Sequence, residues 1–147
     1  MVLSPGPGLV ESAASRTPET SLAEVFVRAA ADLPQPDDRG QVVAEALGYL
    51  QRGFDSHYAG GGTDEDVLEG DSAYAWAVET IALLDEPRFV AVASRMIRDG
   101  AGRISAGESV SLQTWTPHLA DLLDVISGEG PQRSEARIRN AAAELAP

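Results

Sequence analysis

The sequence predicts an all-α protein, a single bundle of five or six antiparallel helices. Three observations carry that prediction. Apolar residues recur at three- and four-residue spacing along most of the chain. Glycine and proline cut it into helix-length pieces. None of those pieces shows the strict apolar–polar alternation of a half-buried strand. The length of 147 residues and a 44% hydrophobic content suit one domain with one core.

Residues 1–19 contain Pro5, Gly6, Pro7, Gly8 and Pro18 without sustained periodicity, and are expected to be a disordered tail ahead of a helical domain over 20–147. The first helix should run from about Ser21 to Ala31 on a stripe of Leu22, Val25, Phe26 and Ala29, with Pro34 and Pro36 preventing its continuation. The second should start at an N-cap, Asp37 or Asp38, and reach Gly53 through Val42, Val43, Ala46, Leu47 and Leu50. Gly60-Gly61-Gly62 reads as a hinge, because no Gly-Lys-Ser/Thr ending follows to make it a phosphate cradle.

Thr63, followed three residues later by Asp66, approximates a capping box for a third helix reaching Leu84. Leu83 to Arg88 is expected as a tight turn, and Pro87 suits the first turn of a fourth helix with the stripe Val90, Ala93, Ile97, Ala101 and Ile104. Thr116 or Pro117 should begin a fifth helix through Leu119, Leu122, Leu123 and Ile126, stopped by Gly128 and Gly130. A short Ala-rich sixth is placed from about Ser134 to Ala146.

Composition narrows the function. There is no cysteine, which removes disulfides, thiolate metal sites and a cysteine nucleophile. A net charge of −12 argues against binding nucleic acid or an anionic membrane surface and favours neutral or basic partners. No apolar run approaches the roughly 18 residues that span a bilayer, and the N-terminus lacks the order of a signal peptide, so a cytoplasmic protein is expected, with no membrane insertion. All 11 basic residues are Arg and Asn140 is the sole asparagine, a usage that suggests a GC-rich genome. The acidic surplus also fits a salt-loving host.

The run from Thr63 to Asp71 places five carboxylates within eight residues. On a helical wheel Val67, Tyr74, Val78, Ile81 and Ala82 share one side, with Glu65, Glu69, Ser72 and Thr80 opposite. Asp64 and Asp71 fall on the apolar side, two turns and about 10 Å apart. A carboxylate facing a core must be paired, hydrogen-bonded or neutral, so Asp71 is expected to bond to a neighbouring helix or an Arg while Asp64 serves the helix dipole. The alternative is a Mg²⁺ site at Asp64, Asp66 and Asp71, against which stands the lack of a phosphate-binding feature nearby. His57, close to Asp55, has the chemistry of a general base but no nucleophile beside it in the sequence, and His118 follows Pro117 in a first turn.

Arg95, Arg98 and Arg103 gather on one side of the fourth helix around Asp99, as an anion or partner contact or a solvated, salt-bridged face. Trp76 lies near the polar side of the third helix, where it is expected either as an exposed indole that anchors a partner or as one half-buried against a neighbour. Gly100 falls on the apolar side of the fourth helix, a structural position where another backbone approaches or the helix bends.

Val67-Leu68-Glu69-Gly70-Asp71, the Ala-rich helix through Ala73-Tyr74-Ala75-Trp76-Ala77, the Glu86-Pro87 turn and the helix from Phe89 to Arg103 resemble part of the all-helical trans-prenyl diphosphate synthases. The resemblance spans about residues 66–103 and makes Gly70 and Asp71 structural. Those enzymes hold Mg²⁺-diphosphate through two aspartate-rich motifs. Here Asp37-Asp38-Arg39-Gly40 lacks the third aspartate and the Arg-Arg, Gly102-Arg103 stands where Gly-Glu belongs, and no downstream motif appears. The resemblance therefore implies a short non-catalytic subunit or degenerate relative, without a cofactor of its own, acting by association with a synthase subunit or with itself, or by shaping an apolar pocket. Two alternatives stand beside it: an unrelated helical regulatory or protein-binding module, and a small Mg²⁺-dependent helical enzyme using Asp64, Asp66, Asp71 and His57.

Overall fold

The computed structural model describes residues 21–35, 37–56, 63–108 and 110–146. Among them run six α-helices and no strand: α1 Leu22–Ala31, α2 Arg39–Phe54, α3 Asp64–Ala82, α4 Pro87–Ser105, α5 Leu112–Ser127 and α6 Pro131–Leu145. Each packs against the next, α6 returns to α1, and α5 also reaches α1 and α2 across the middle, so the helices close into one bundle. The expected tail over 1–19, Pro36, His57 and the Gly60-Gly61-Gly62 hinge lie outside the described residues.

α1 forms as its pattern requires. The Ser21 side chain accepts the Glu24 N–H, and Leu22, Val25, Phe26 and Ala29 are all buried. Gln51 of α2 accepts the Leu22 N–H at 2.9 Å, which satisfies another donor of that first turn. In α2 the buried face comprises Val43, Ala46, Leu47 and Leu50 from the expected stripe, extended by Ala44 and Phe54, while Val42 is half-buried. Asp37 serves its start, accepting the Arg39 N–H at 2.9 Å and pairing with the Arg39 guanidinium at 2.7 Å.

The two later helices begin earlier than expected. Pro117 is interior to α5, which starts at Leu112 because Leu112, Trp115, Thr116 and Leu119 form one stripe that carries the fully buried Trp115 into the core. The Pro ring removes the bond to the Gln113 carbonyl, but both residues are exposed and water can serve that oxygen. Thr116 Oγ1 donates to the Leu112 carbonyl at 2.9 Å. α6 starts at Pro131 rather than Ser134. Ser134 is buried, and its hydroxyl and the Gly130 N–H both point to Asp124 Oδ1, at 3.3 and 2.7 Å. That carboxylate holds the reversal, at which Gly128 and Gly130 take φ of 67° and 102°.

The core draws on all six helices and includes Phe26, Leu47, Phe54, Ile81, Met96, Trp115, Leu119, Leu123 and Ile138. A chain of rings crosses it: Tyr74 meets Phe54 edge-on at 5.4 Å, and Phe54 lies 4.9 Å from Trp115. Gly100 of α4 covers these rings. A Cβ there would stand 2.5 Å from Phe54 and 2.7 Å from Trp115, so aromatic rings, not a backbone, are what approach it.

Candidate functional site

The acidic run opens α3 as a cap. Thr63 Oγ1 accepts the Asp66 N–H at 3.1 Å and the Asp66 carboxylate accepts the Thr63 N–H, the reciprocal capping box. Asp64 and Asp71 are both exposed, which corrects their placement on the core-facing side of the helix. Thr80, placed on the polar side by the wheel, is buried, whereas Val67 and Ala82 are exposed. The buried arc of α3 is Gly70, Ala73, Ala77, Thr80 and Ile81. Close approach to α2 selects small side chains there, and a wheel weighted by large apolar residues points elsewhere. Gly70 is thus a packing position. Across the same contact the Tyr74 ring lies against Gly53, where no Cβ fits.

Asp64, Asp66 and Asp71 do not converge. Among the described residues no group of three or more His, Asp or Glu side chains is arranged to hold a metal ion.

α3 is apolar on a second side as well. Leu68 is 65% exposed, Trp76 55% and Leu83, just past the helix, 80%. Ala75 and Ala82 are exposed too, and Leu68, Ala75 and Ala82 recur every seven residues along one line. Trp76 stacks at 6.3 Å on Tyr49 of α2, and the Arg52 guanidinium sits 5.5 Å from the centre of the other ring. An ordered row of Arg52, Tyr49 and Trp76 results, with much of the indole open to solvent. Asp64, Glu65, Glu69 and Asp71 are exposed around the N-terminal half of the stripe, Glu79 is exposed within it between Ala75, Trp76, Ala82 and Leu83, and α3 carries no basic residue. The sequence reading singled out Trp76 but missed Leu68, Leu83 and Tyr49. The seven-residue recurrence was the available signal for the first; nothing in the sequence brings Tyr49 to Trp76.

Arg95, Arg98 and Arg103 line a shallow concavity with Asp99, Gly102, Glu108 and His118. Asp99 organises it, taking His118 Nε2 at 3.0 Å on one oxygen and Arg103 Nε at 3.0 Å on the other. The hydrogen bond from His118, and then that from Arg103, hold the Asp99 carboxyl below its ordinary range. Arg103 also reaches Glu108 at 3.4 Å, and Arg95 lies 3.8 Å from Asp121. Only Arg98 of the three lacks an ion pair among the described residues. Three guanidiniums beside Asp99, Glu108 and Asp121 leave little net positive charge, so the cluster reads as a cross-link between α4 and α5.

His118, half-buried against Trp115, pairs with Asp99 like an oriented base, a feature the sequence reading undervalued. Among the described residues the concavity has no Ser, Thr or Tyr lining that could act as its nucleophile. Comparison with protein-family models, with curated proteins and with solved structures finds no match to this chain.

Proposed function

We propose that this protein works by association, docking another protein on the outer side of α3. One observation carries the reading: a helix already buried on one side presents Leu68, Trp76 and Leu83, each more than half exposed, along its other side. Contiguous exposed apolar surface with a polar border marks interaction sites. Trp76 has the properties of an anchor, being large, stacked in place on Tyr49 and accessible.

The more specific reading is a non-catalytic partner of a trans-prenyl diphosphate synthase. Its support is the run of residues 66–103, from Val67-Leu68-Glu69-Gly70-Asp71 to the helix ending at Arg103, which includes the stripe itself.

Isolation of the tagged wild-type chain and of Trp76→Ala from the native host, with bound proteins identified, tests both levels. A protein held by the wild type and lost with Trp76→Ala supports association, and a synthase subunit in that position supports the specific reading. A Trp76-dependent partner of another kind sinks the specific reading alone. Bound proteins that ignore Trp76 sink both.

A further inference from the structure

We propose that the occupant of the α3 face is a basic amphipathic helix, about four turns long, whose large apolar side chains seat over Ala75 and Ala82. The inference rests on the association reading and names its partner class. Its first support is shape. Leu68, Ala75 and Ala82 form a straight line at seven-residue spacing, and Ser72 lies beside them, exposed. Small side chains alternate there with the larger Leu68, Trp76 and Leu83 and with the flexible Glu79, a spacing that suits the knobs of a second helix. From Leu68 to Leu83 the surface extends about 22 Å along the axis, a length that a helix of about 15 residues matches.

The second support is charge. Asp64, Glu65, Asp66, Glu69, Asp71 and Glu79 are the only charged residues in α3. Glu79 is exposed on the outer side, and Asp64, Glu65 and Asp71 flank its N-terminal half. A second copy of this chain laid on the same face would set carboxylates against carboxylates in a molecule of net charge −12, so self-association through it is opposed. Lys or Arg on the borders of a partner helix would instead meet acids over the N-terminal half of the contact and at Glu79. The third support is the indole. Trp76 is held by Tyr49, whose ring also carries Arg52, and its accessible surface beside acidic side chains suits a further guanidinium or ammonium from the partner.

The probe is a fluorescein-labelled synthetic helix with Leu or Ile at positions 1, 4, 8 and 11 and Lys or Arg at the flanking positions. Two control peptides accompany it, one with Glu in place of the bases and one with the basic composition scrambled to destroy the stripe. Anisotropy titrations use the full chain and its Trp76→Ala and Glu79→Lys variants, each with circular dichroism to show the fold is kept, and sedimentation reports the oligomeric state. The basic amphipathic probe should bind, more weakly as salt is added, and Trp76→Ala should weaken it by at least about tenfold. Glu79→Lys should weaken it as well.

Equal binding of the acidic probe, or of the scrambled basic one, overturns the proposal, as does a wild-type affinity in Trp76→Ala. A dimer dissolved by Trp76→Ala overturns it in favour of a second copy while leaving association intact. Failure of every probe together with a monomer overturns this partner class. The association reading then stands or falls on the native isolation alone.

Discussion

Two helix-interior glycines, Gly48 and Gly100, show how little a residue's identity says before its neighbours are known. Nothing lies within 4 Å of a Cβ built on Gly48, whereas one built on Gly100 meets Phe54 and Trp115 at 2.5–2.7 Å. The same substitution should therefore act in opposite directions. Gly48→Ala should stabilise the fold by about 0.5–1 kcal/mol through helix propensity. Gly100→Ala should destabilise it by about 1–3 kcal/mol by overfilling the ring cluster, and urea unfolding of both variants measures the contrast. A loss in both would mean that Gly48 is not as open as its surroundings indicate. Gly100 was legible in the sequence as a special position on the apolar side. The partners that make it special were not, because Phe54 and Trp115 come from two other helices.

At the scale of one element, α3 shows both the reach and the limit of periodicity. Its cap could be read from Thr63 and Asp66 because a capping box is local, set by four consecutive residues. Thr63→Ala should cost about 0.5–2 kcal/mol in thermal or urea unfolding, and Asp66→Ala a comparable amount. With Asp66 engaged in the cap and the carboxylates of Asp64 and Asp71 not converging with it, added Mg²⁺ should leave the melting temperature unchanged. A rise that saturates with Mg²⁺ and disappears in Asp66→Ala would restore the metal reading. The orientation of α3 was misread for a physical reason: its inward face is chosen by how closely α2 can approach, which favours Gly70, Ala73 and Ala77 over Val67. A similar slip of about one residue affects α4, whose buried positions are Phe89, Val92, Ala93, Met96 and Gly100. Of the expected stripe, only Ala93 is fully buried.

For the whole molecule, charge sets the conditions of stability. Several acids sit with guanidiniums: Arg28 joins Glu144 between α1 and α6 at 2.7 Å, and Arg137 of α6 holds Glu129 in the turn before that helix at 2.7 Å. Hydrogen bonds to those arginines hold the Glu144 and Glu129 carboxyls below their ordinary range, and Arg88 lowers that of Glu86 to about 2. A carboxyl depressed by folding contributes stability that is complete above its unfolded value, about 4, and is lost as pH falls through the folded one. Opposing this, the −12 charge at pH 7 repels itself, and that repulsion weakens as the net charge falls on acidification. The melting temperature should therefore rise modestly from pH 8 to about 5 and fall steeply from about 4 towards 2. Added NaCl should raise it at pH 7 by screening that repulsion. A melting temperature that only falls on acidification from pH 8 would show that attraction outweighs repulsion even at neutral pH.

The chain by itself determined what depends on neighbours a few residues apart. The all-α class, the span of α1, the Thr63 cap, the Pro87 start of α4 and the glycine stop at Gly128 all follow from spacing and backbone preference over one or two turns. The tertiary structure decided what depends on approach between helices. It set which side of α3 is buried, that Asp64 and Asp71 are exposed, and that α5 begins before Pro117 to bring Trp115 into the core. It also placed Tyr49 under Trp76 and Asp99 against His118. A helix with apolar residues on two sides does not state which side its own fold will cover. Only packing against α2 and α4 left Leu68, Trp76 and Leu83 outside, and that remainder is the surface on which the proposed function rests.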